Sequence, residues 1–500
     1  MVNREIAGAN ILSVDIGTSS VRACLVDRSL KILHQSSRTI HLETDAAGKA
    51  EMDTDRVLEK TLACMWEASD WAYARSIYVD AMSFSSASAS LVPLDVDFKP
   101  IRPALTFADL RAVNESHWVI NTYGKQAFTH TGAPMHASYW LPKLLWLRNQ
   151  GLKLEGNLYF CTIKDLLIYR LTGWFMIDTC NAGAVGMMDA RTMTWDDLSL
   201  EISGIDASQL PEIQPTTTLL AFKSDQADRF CPKGYCPKIV LGAMDGVLAS
   251  LGVGAYQPGR VTTSLGSSGA CRITADKPLI GHSDHRIWSY PLLNDLWIRG
   301  GAMNNGGLVT QWLTENFSKK RQLNDRAYAE MLQAAGSIGP GSDGLLFLPY
   351  LFGERAPIYN EQARGVYFGL HNRHNRRHFA RAGLEGILFA LFSIFEILQE
   401  AQGEVNEIRA AGGYLQSELM LQMQADIFRQ PILIPAEQEG SVIGAAALAH
   451  KALGNISHFN DLEELLTVQS QYRPNQAYQE IYQERYQHFK ALYQQIAPMF

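Results

Sequence analysis

The sequence predicts an α/β protein made of two related lobes, and three observations carry that expectation. The chain opens as a β-meander, not as a strand feeding straight into a helix. A second copy of the same strand–turn–strand pattern recurs about half a chain length later. Between and after the two copies, short apolar runs alternate with helical stretches. At 500 residues the chain exceeds what one hydrophobic core organises, so more than one domain is expected.

Residues 11–14 read as the first strand, 15–20 as a Gly/Ser/Thr turn and 21–26 as the returning strand. A second turn at 27–30 leads into a third strand over 31–40. A dinucleotide-binding domain would instead pass from its first glycine-rich turn directly into a helix. Helices are expected over Thr54–Tyr73, 110–124, 141–148 and 164–171, with a strand at 77–84. The second copy runs as strand 260–264, turn Leu265-Gly266-Ser267-Ser268-Gly269 and strand 270–274. After it come an apolar helix at 381–398, a strand at Glu407–Ala411, a helix at 417–428 and a small-residue helix at 441–453. Tyr478, Tyr482, Tyr486, Phe489 and Tyr493 recur at three and four residues, an apolar packing stripe on a closing helix. The lobe boundary is expected between Gly246 and Gly259, dividing the chain into 1–250 and 251–500.

With 47% hydrophobic and 19% charged residues, the chain can bury sizeable cores. A net charge of −7 argues against a nucleic-acid partner. The cation-dense run at 371–378 reads as a solvated loop opening a helix near Phe379. Seven scattered cysteines do not form a disulfide framework. Cys231 and Cys236 are the closest pair, but no second pair or clustered histidines make them a zinc site, so reduced thiols are expected. The N-terminus lacks the apolar core of a signal peptide, and no run approaches the ~20 apolar residues of a membrane span. A cytoplasmic protein with no membrane partner is the expectation.

Three stretches carry candidate chemistry. In Asp15-Ile16-Gly17-Thr18-Ser19-Ser20, Gly17 opens the backbone while Thr18 and Ser19 add hydroxyls, a concavity suited to phosphate oxygens. Asp15 ends a buried strand, where a carboxylate needs a partner, and magnesium held through water would serve. An ordinary Asx turn is the alternative. In Lys238 to Gly246 a strand delivers Asp245, a carboxylate suited to accept a proton from a substrate hydroxyl; a helix N-cap is the alternative. In Ala410-Ala411-Gly412-Gly413 a strand ends on two glycines that let backbone lie flat against a base or ribose.

These motifs, together with TFADLRA at 106–112, KLLWLRN at 143–149 and GSDGLLFLPYLFGERAPIYNEQARGVYFGL at 341–370, resemble the FGGY carbohydrate kinase family over residues 10–490. The resemblance implies two actin-like (ribonuclease H-like) lobes with an ATP cleft between them. It implies ATP and Mg2+ as cofactors and a small sugar or sugar acid as substrate. Asp245 aligns with the family's catalytic base and would share magnesium with Asp15. Gly17, Thr18 and Ser19 resemble the first phosphate loop, and Gly266, Ser267 and Ser268 the second. Gly412, Gly413, Ser417 and Gly307 match the adenosine site, and Asp109, Arg111 and Ser88 fall on the sugar side. Segments such as MDGVLASLGVGA and MNNGGLVTQW resemble the gluconokinase branch, so conversion of D-gluconate to 6-phosphogluconate is expected. A xylulose or polyol kinase, or a non-catalytic ATP-binding sensor, stays open, as does assembly into a homodimer. Two departures bear on the substrate. Ser88-Ala89 stands where related kinases carry Met-His, and Trp140 where the family prefers Pro, Ser or Thr.

Overall fold

A computed structural model describes residues 9–127, 129–154, 156–280, 286–318 and 324–500. The chain divides into two compact units. One comprises Met1–Tyr256, Asp276–Ile298 and Glu439–Thr467; the other comprises Gln257–Ala275, Arg299–Gln438 and Val468–Phe500.

In the first unit the opening strands Ile11–Ile16, Ser20–Val26 and Ile32–Thr39 form an antiparallel meander. Ala81–Ser86 then lies parallel to the first strand, and Lys238–Met244 parallel to Ala81–Ser86. Leu219–Leu220 closes the far edge antiparallel. The order is therefore third, second, first, fourth, fifth strand, with a short edge strand beyond. The second unit repeats it: Leu296–Met303, Gly269–Ala275, Arg260–Leu265, Glu407–Ala411 and Ile432–Pro435, with Val468–Tyr472 as the antiparallel edge. Here too the first and second strands pair antiparallel, while the first, fourth and fifth are parallel. The two hairpins read from sequence are thus the openings of two sheets of one topology.

Local chemistry sets the helices that flank these sheets. Thr54–Tyr73 starts where Asp53 accepts the Arg56 N–H at 3.1 Å, and it buries Val57, Leu58, Met65 and Ala68 against Leu12, Val14 and Ile16. Arg376–Gln402 begins three residues before Phe379 because Asn375 and His378 close a capping box. Among the described residues it is the one helix long and apolar enough to cross a membrane, yet 83% of its apolar window is buried inside the protein. Its two ionised groups within that core, Arg381 and Glu385, satisfy each other at 2.8 Å. The closing helix Gln479–Ile496 buries Tyr482, Tyr486 and Phe489, a packing stripe as expected.

One expectation is corrected. Cys231 and Cys236 are joined in a disulfide, because the turn at Pro232–Gly234 brings their Cα atoms to 4.3 Å. The other five cysteines are free and buried.

The strand Lys238–Met244 carries a bulge between Val240 and Ala243. At its centre Gly242 has φ +79°, and a Cβ there would lie 1.7 Å from the Phe84 carbonyl oxygen. Both facts exclude a side chain. Gly242→Ala should destabilise the fold by about 2 kcal/mol or more. A lowered urea midpoint at unchanged m-value would report it, and a wild-type midpoint would show that the bulge can be ironed out.

Candidate active site

The parallel strands of the first unit end together on one edge of its sheet. Asp15 pairs in register with Ser85, while Ala243 and Met244 pair with Ser85 and Ser86. Asp15 and Asp245 therefore stand at the carboxyl ends of strands lying either side of Ala81–Ser86, the edge at which open α/β sheets bind ligands.

Asp15 is nearly enclosed, at 5% exposure. Its Oδ1 accepts the Ser85 hydroxyl at 2.7 Å and its Oδ2 the Arg22 guanidinium at 2.6 Å. Arg22 also bonds Glu439. Burial alone would lower the Arg22 pKa, but Asp15 and Glu439 more than offset it and hold the value above the ordinary one. Asp245 is not a cap. Met244 occupies the N-cap position, Asp245 is the first residue of the helix Asp245–Gly252, and its Oδ1 accepts the Gly246 N–H at 2.5 Å. In the first turn, Gly17 donates to the Ser20 carbonyl at 3.0 Å; Thr18 is half-buried and Ser19 exposed.

Beside this edge is a narrow cleft whose lining includes Ile16, Thr18, Ser86, Ser88, Thr106 and Lys164. Its loop is held from behind by the helix Trp140–Asn149. Trp140 Nε1 donates to the Ser90 carbonyl at 2.9 Å and Lys143 Nζ to the Ala89 carbonyl at 2.9 Å. The Trp140 indole thus helps anchor the loop that carries Ser88 and Ala89. Lys143 is wholly buried, and burial lowers its pKa to about 7 against the opposing pull of Asp109. Asp109 is itself buried and engaged: it accepts the Ala50 N–H at 3.0 Å and the Arg111 guanidinium at 2.6 Å. Arg111 also bonds Glu51 at 2.6 Å and stacks 4.4 Å over Trp146. Glu51, absent from the sequence reading, is pushed up by burial but held below its ordinary pKa by Arg111 and Arg102.

The second unit holds a cavity of about 430 Å³ lined by Gly266, Gly307, Thr310, Gln311, Tyr328 and Gly413, among others. The helix Gly307–Phe317 is seated on the second turn: Gly307 and Leu308 donate to the carbonyls of Gly266 and Ser267 at 2.6 and 3.1 Å. Of the residues singled out in sequence, Gly266, Gly307 and Gly413 line the cavity. Gly412 packs beneath it, against Leu265, and Ser417 Oγ caps the helix Glu418–Phe428 by accepting the Met420 N–H at 3.3 Å. Thr310, Gln311, Asn324 and Tyr328 were missed in the sequence. Thr310 and Thr314 fall one turn apart on a helix opened by glycines, which was the available signal.

Behind the Gly306–Gly307 corner is a polar clamp. Glu354 accepts the Asn304 N–H at 2.5 Å and the Asn305 amide at 2.9 Å, and Asn305 also donates to the Gly353 carbonyl at 2.7 Å.

Carboxylates at two strand ends in one unit, and a nucleoside-sized cavity beside a glycine turn in the other, suit a phosphoryl-transfer protein. The chain belongs to the FGGY family of carbohydrate kinases, whose N-terminal domain matches residues 10–252 and C-terminal domain residues 261–453. It is 33% identical over 466 residues to a gluconokinase of Bacillus subtilis (strain 168), covering 91% of this chain and 90% of the relative. Two solved structures from Lactobacillus acidophilus, a gluconate kinase and a ligand-bound xylulose kinase, each superpose with TM-score 0.91 at 30% identity. Both cover 98% of this chain, and 99% and 98% of their own chains respectively. The lobes accordingly have the actin-like fold, and ATP is the phosphate donor.

Burial pushes Glu354 from its ordinary 4.5 up to about 7, against the opposing hydrogen bonds. Between those values the folded chain holds more protons than the unfolded one. The contribution is therefore fully present below pH 4.5 and lost as the pH rises through about 7. Glu354→Gln should flatten this part of the stability profile. Urea unfolding at both ends of the window would show it, and an unchanged slope would place the proton elsewhere.

Proposed function

We propose that the protein transfers the γ-phosphoryl group of ATP to a hydroxyl of D-gluconate, giving 6-phosphogluconate, with Asp245 as general base. The observation that carries this reading is Asp245 itself: a carboxylate that follows a bulged strand and opens a helix whose N-cap position belongs to Met244. There it can take the proton from an attacking hydroxyl as the new O–P bond forms. In the second unit Gly266, Ser267 and Ser268 would meet phosphate oxygens beside the cavity; in the first, the Thr18 and Ser19 hydroxyls are the groups suited to bind phosphate. The cavity bounded by Gly307 and Gly413 would take the adenosine, with Gly412 and Ser417 shaping its wall from behind.

The donor set fits magnesium, since hard carboxylate oxygens are what that ion takes, and here they come from the ends of the two strands that flank Ala81–Ser86. Asp15 and Asp245 would hold it, and when bound it would neutralise charge on the phosphates. Arg22 holds Asp15 in place for that task.

On the sugar side, Ser88 lines the cleft, while Asp109 and Arg111 form a closed pair. With two carboxylates on it, Arg111 is not a spare cation for a substrate carboxylate. The gluconate assignment therefore rests on the relatives and not on a charged receptor. A pentulose kinase is the second reading, favoured by the equal match to a xylulose kinase structure and by the small Ser88-Ala89 pair.

Release of ADP from MgATP by the purified protein, measured across gluconate, xylulose, ribulose, glycerol and erythritol, separates these readings. A rate with gluconate alone supports the first, a rate with xylulose or ribulose the second, and a sugar-independent ATPase overturns both. Asp245→Asn should lower kcat at least ~100-fold. Near wild-type turnover would remove Asp245 from the role of base.

A further inference from the structure

The cleft of the first unit is lined by several polar groups, and three of them already have protein partners. Thr106 Oγ1 donates to the Ala50 carbonyl at 2.9 Å, and Ser90 Oγ accepts the Ile163 N–H at 3.2 Å. Lys164 Nζ, although it borders the cleft, bonds Asp178 and the Leu241 carbonyl. Ser86 differs. The residue borders the cleft at the end of the central strand and is 3% exposed, and its buried Oγ has no hydrogen-bond partner among the described residues. Other serines of the same sheet, Ser13 and Ser83, are also unpartnered, but they do not border the cleft.

A buried hydroxyl without a partner is a standing cost to the folded protein, and it is relieved when a water or a ligand group supplies the missing bond. A polyhydroxy ligand is the complement: each of its hydroxyls both donates and accepts, as Ser86 does. The register puts Ser86 beside Ile16 on one side and Met244 on the other, one residue from Asp245. A hydroxyl bound there lies on the strand next to the candidate base.

We propose that Ser86 Oγ is a substrate-binding group that hydrogen-bonds a hydroxyl of the sugar or sugar acid seated in this cleft. The proposal rests on the kinase reading above and names a specificity contact for it. A site built around an unpaired buried hydroxyl discriminates against substrates lacking the matching group, because the mismatch leaves the protein group unsatisfied.

The test is Ser86→Ala in the full chain, with two measurements. The first is ADP formation with gluconate and with xylulose as probes. For whichever probe wild type turns over, KM should rise roughly three- to tenfold, the value of one hydrogen bond, while KM for ATP stays put. The second is thermal unfolding without ligand. Removing an unpartnered hydroxyl should leave the melting temperature level or slightly raised, whereas a hydroxyl with a structural partner would lower it. An unchanged sugar KM in an active enzyme, or a clear drop in melting temperature, overturns the proposal. If wild type phosphorylates neither probe, the gluconate and xylulose readings fail by that result alone. The melting measurement still reports on Ser86, since it needs no turnover.

Discussion

The site of the first unit depends on two helices whose backbones touch. A Cβ on Gly252 would lie 1.9 Å from the Gly440 carbonyl oxygen, and one on Gly444 1.9 Å from that of Leu248. The helices Asp245–Gly252 and Gly440–Ala452 can approach this closely only because glycines face each other at the crossing. That contact positions both candidate carboxylates. It fixes the helix whose first residue is Asp245, and it brings Glu439, at the head of the second helix, onto Arg22. Arg22 in turn holds Asp15. A segment more than four hundred residues along the chain from Arg22 thereby orients a carboxylate at its beginning.

Gly242 adds the second constraint. The bulge takes Leu241 and Gly242 out of the ladder with Phe84, and their N–H groups bond the carbonyls of Thr218 and Thr216 at 3.2 and 3.0 Å. The Leu241 carbonyl is thereby available to Lys164, the buried cation paired with Asp178. After the bulge Ala243 and Met244 pair again with Ser85 and Ser86, and the chain passes from there into the helix that begins with Asp245. Bulges beside active sites re-aim side chains in this way. Here the re-aimed group is the carboxylate that a cap-based reading of the sequence would have consumed.

Much of this was legible in the chain, and the reason is local chemistry. Asp53 and the 3.6-residue pattern after it bound the first helix, and the paired glycine turns announce two sheets of one topology. The illegible parts are long-range. Nothing near Arg22 says that its second partner lies at Glu439. Nothing near Ser441 says that the helix there packs on Asp245–Gly252. Asn324 and Tyr328 reach the cavity only through tertiary packing. The Cys231–Cys236 bond depended on a turn geometry that spacing alone does not specify. Ser417 shows the opposite case, a hydroxyl at a ligand-like position whose own oxygen is used to start a helix.

The duplication explains why the two units differ where they do. Each sheet ends its first, fourth and fifth strands on one edge, so each offers the same three places for chemistry. In the first unit these places lead into Asp15, Ser85-Ser86 and Asp245. In the second they lead into Leu265-Gly266, Gly412-Gly413 and Pro435. Carboxylates suit an edge that must bind a cation and accept a proton, and they would repel a polyphosphate laid directly against them. Glycines and a helix N-terminus suit an edge that must present N–H groups to anionic oxygens and leave room for a flat base. On the proposed reading, different residues at the strand ends of one topology suit acid-base chemistry in one copy and anion binding in the other.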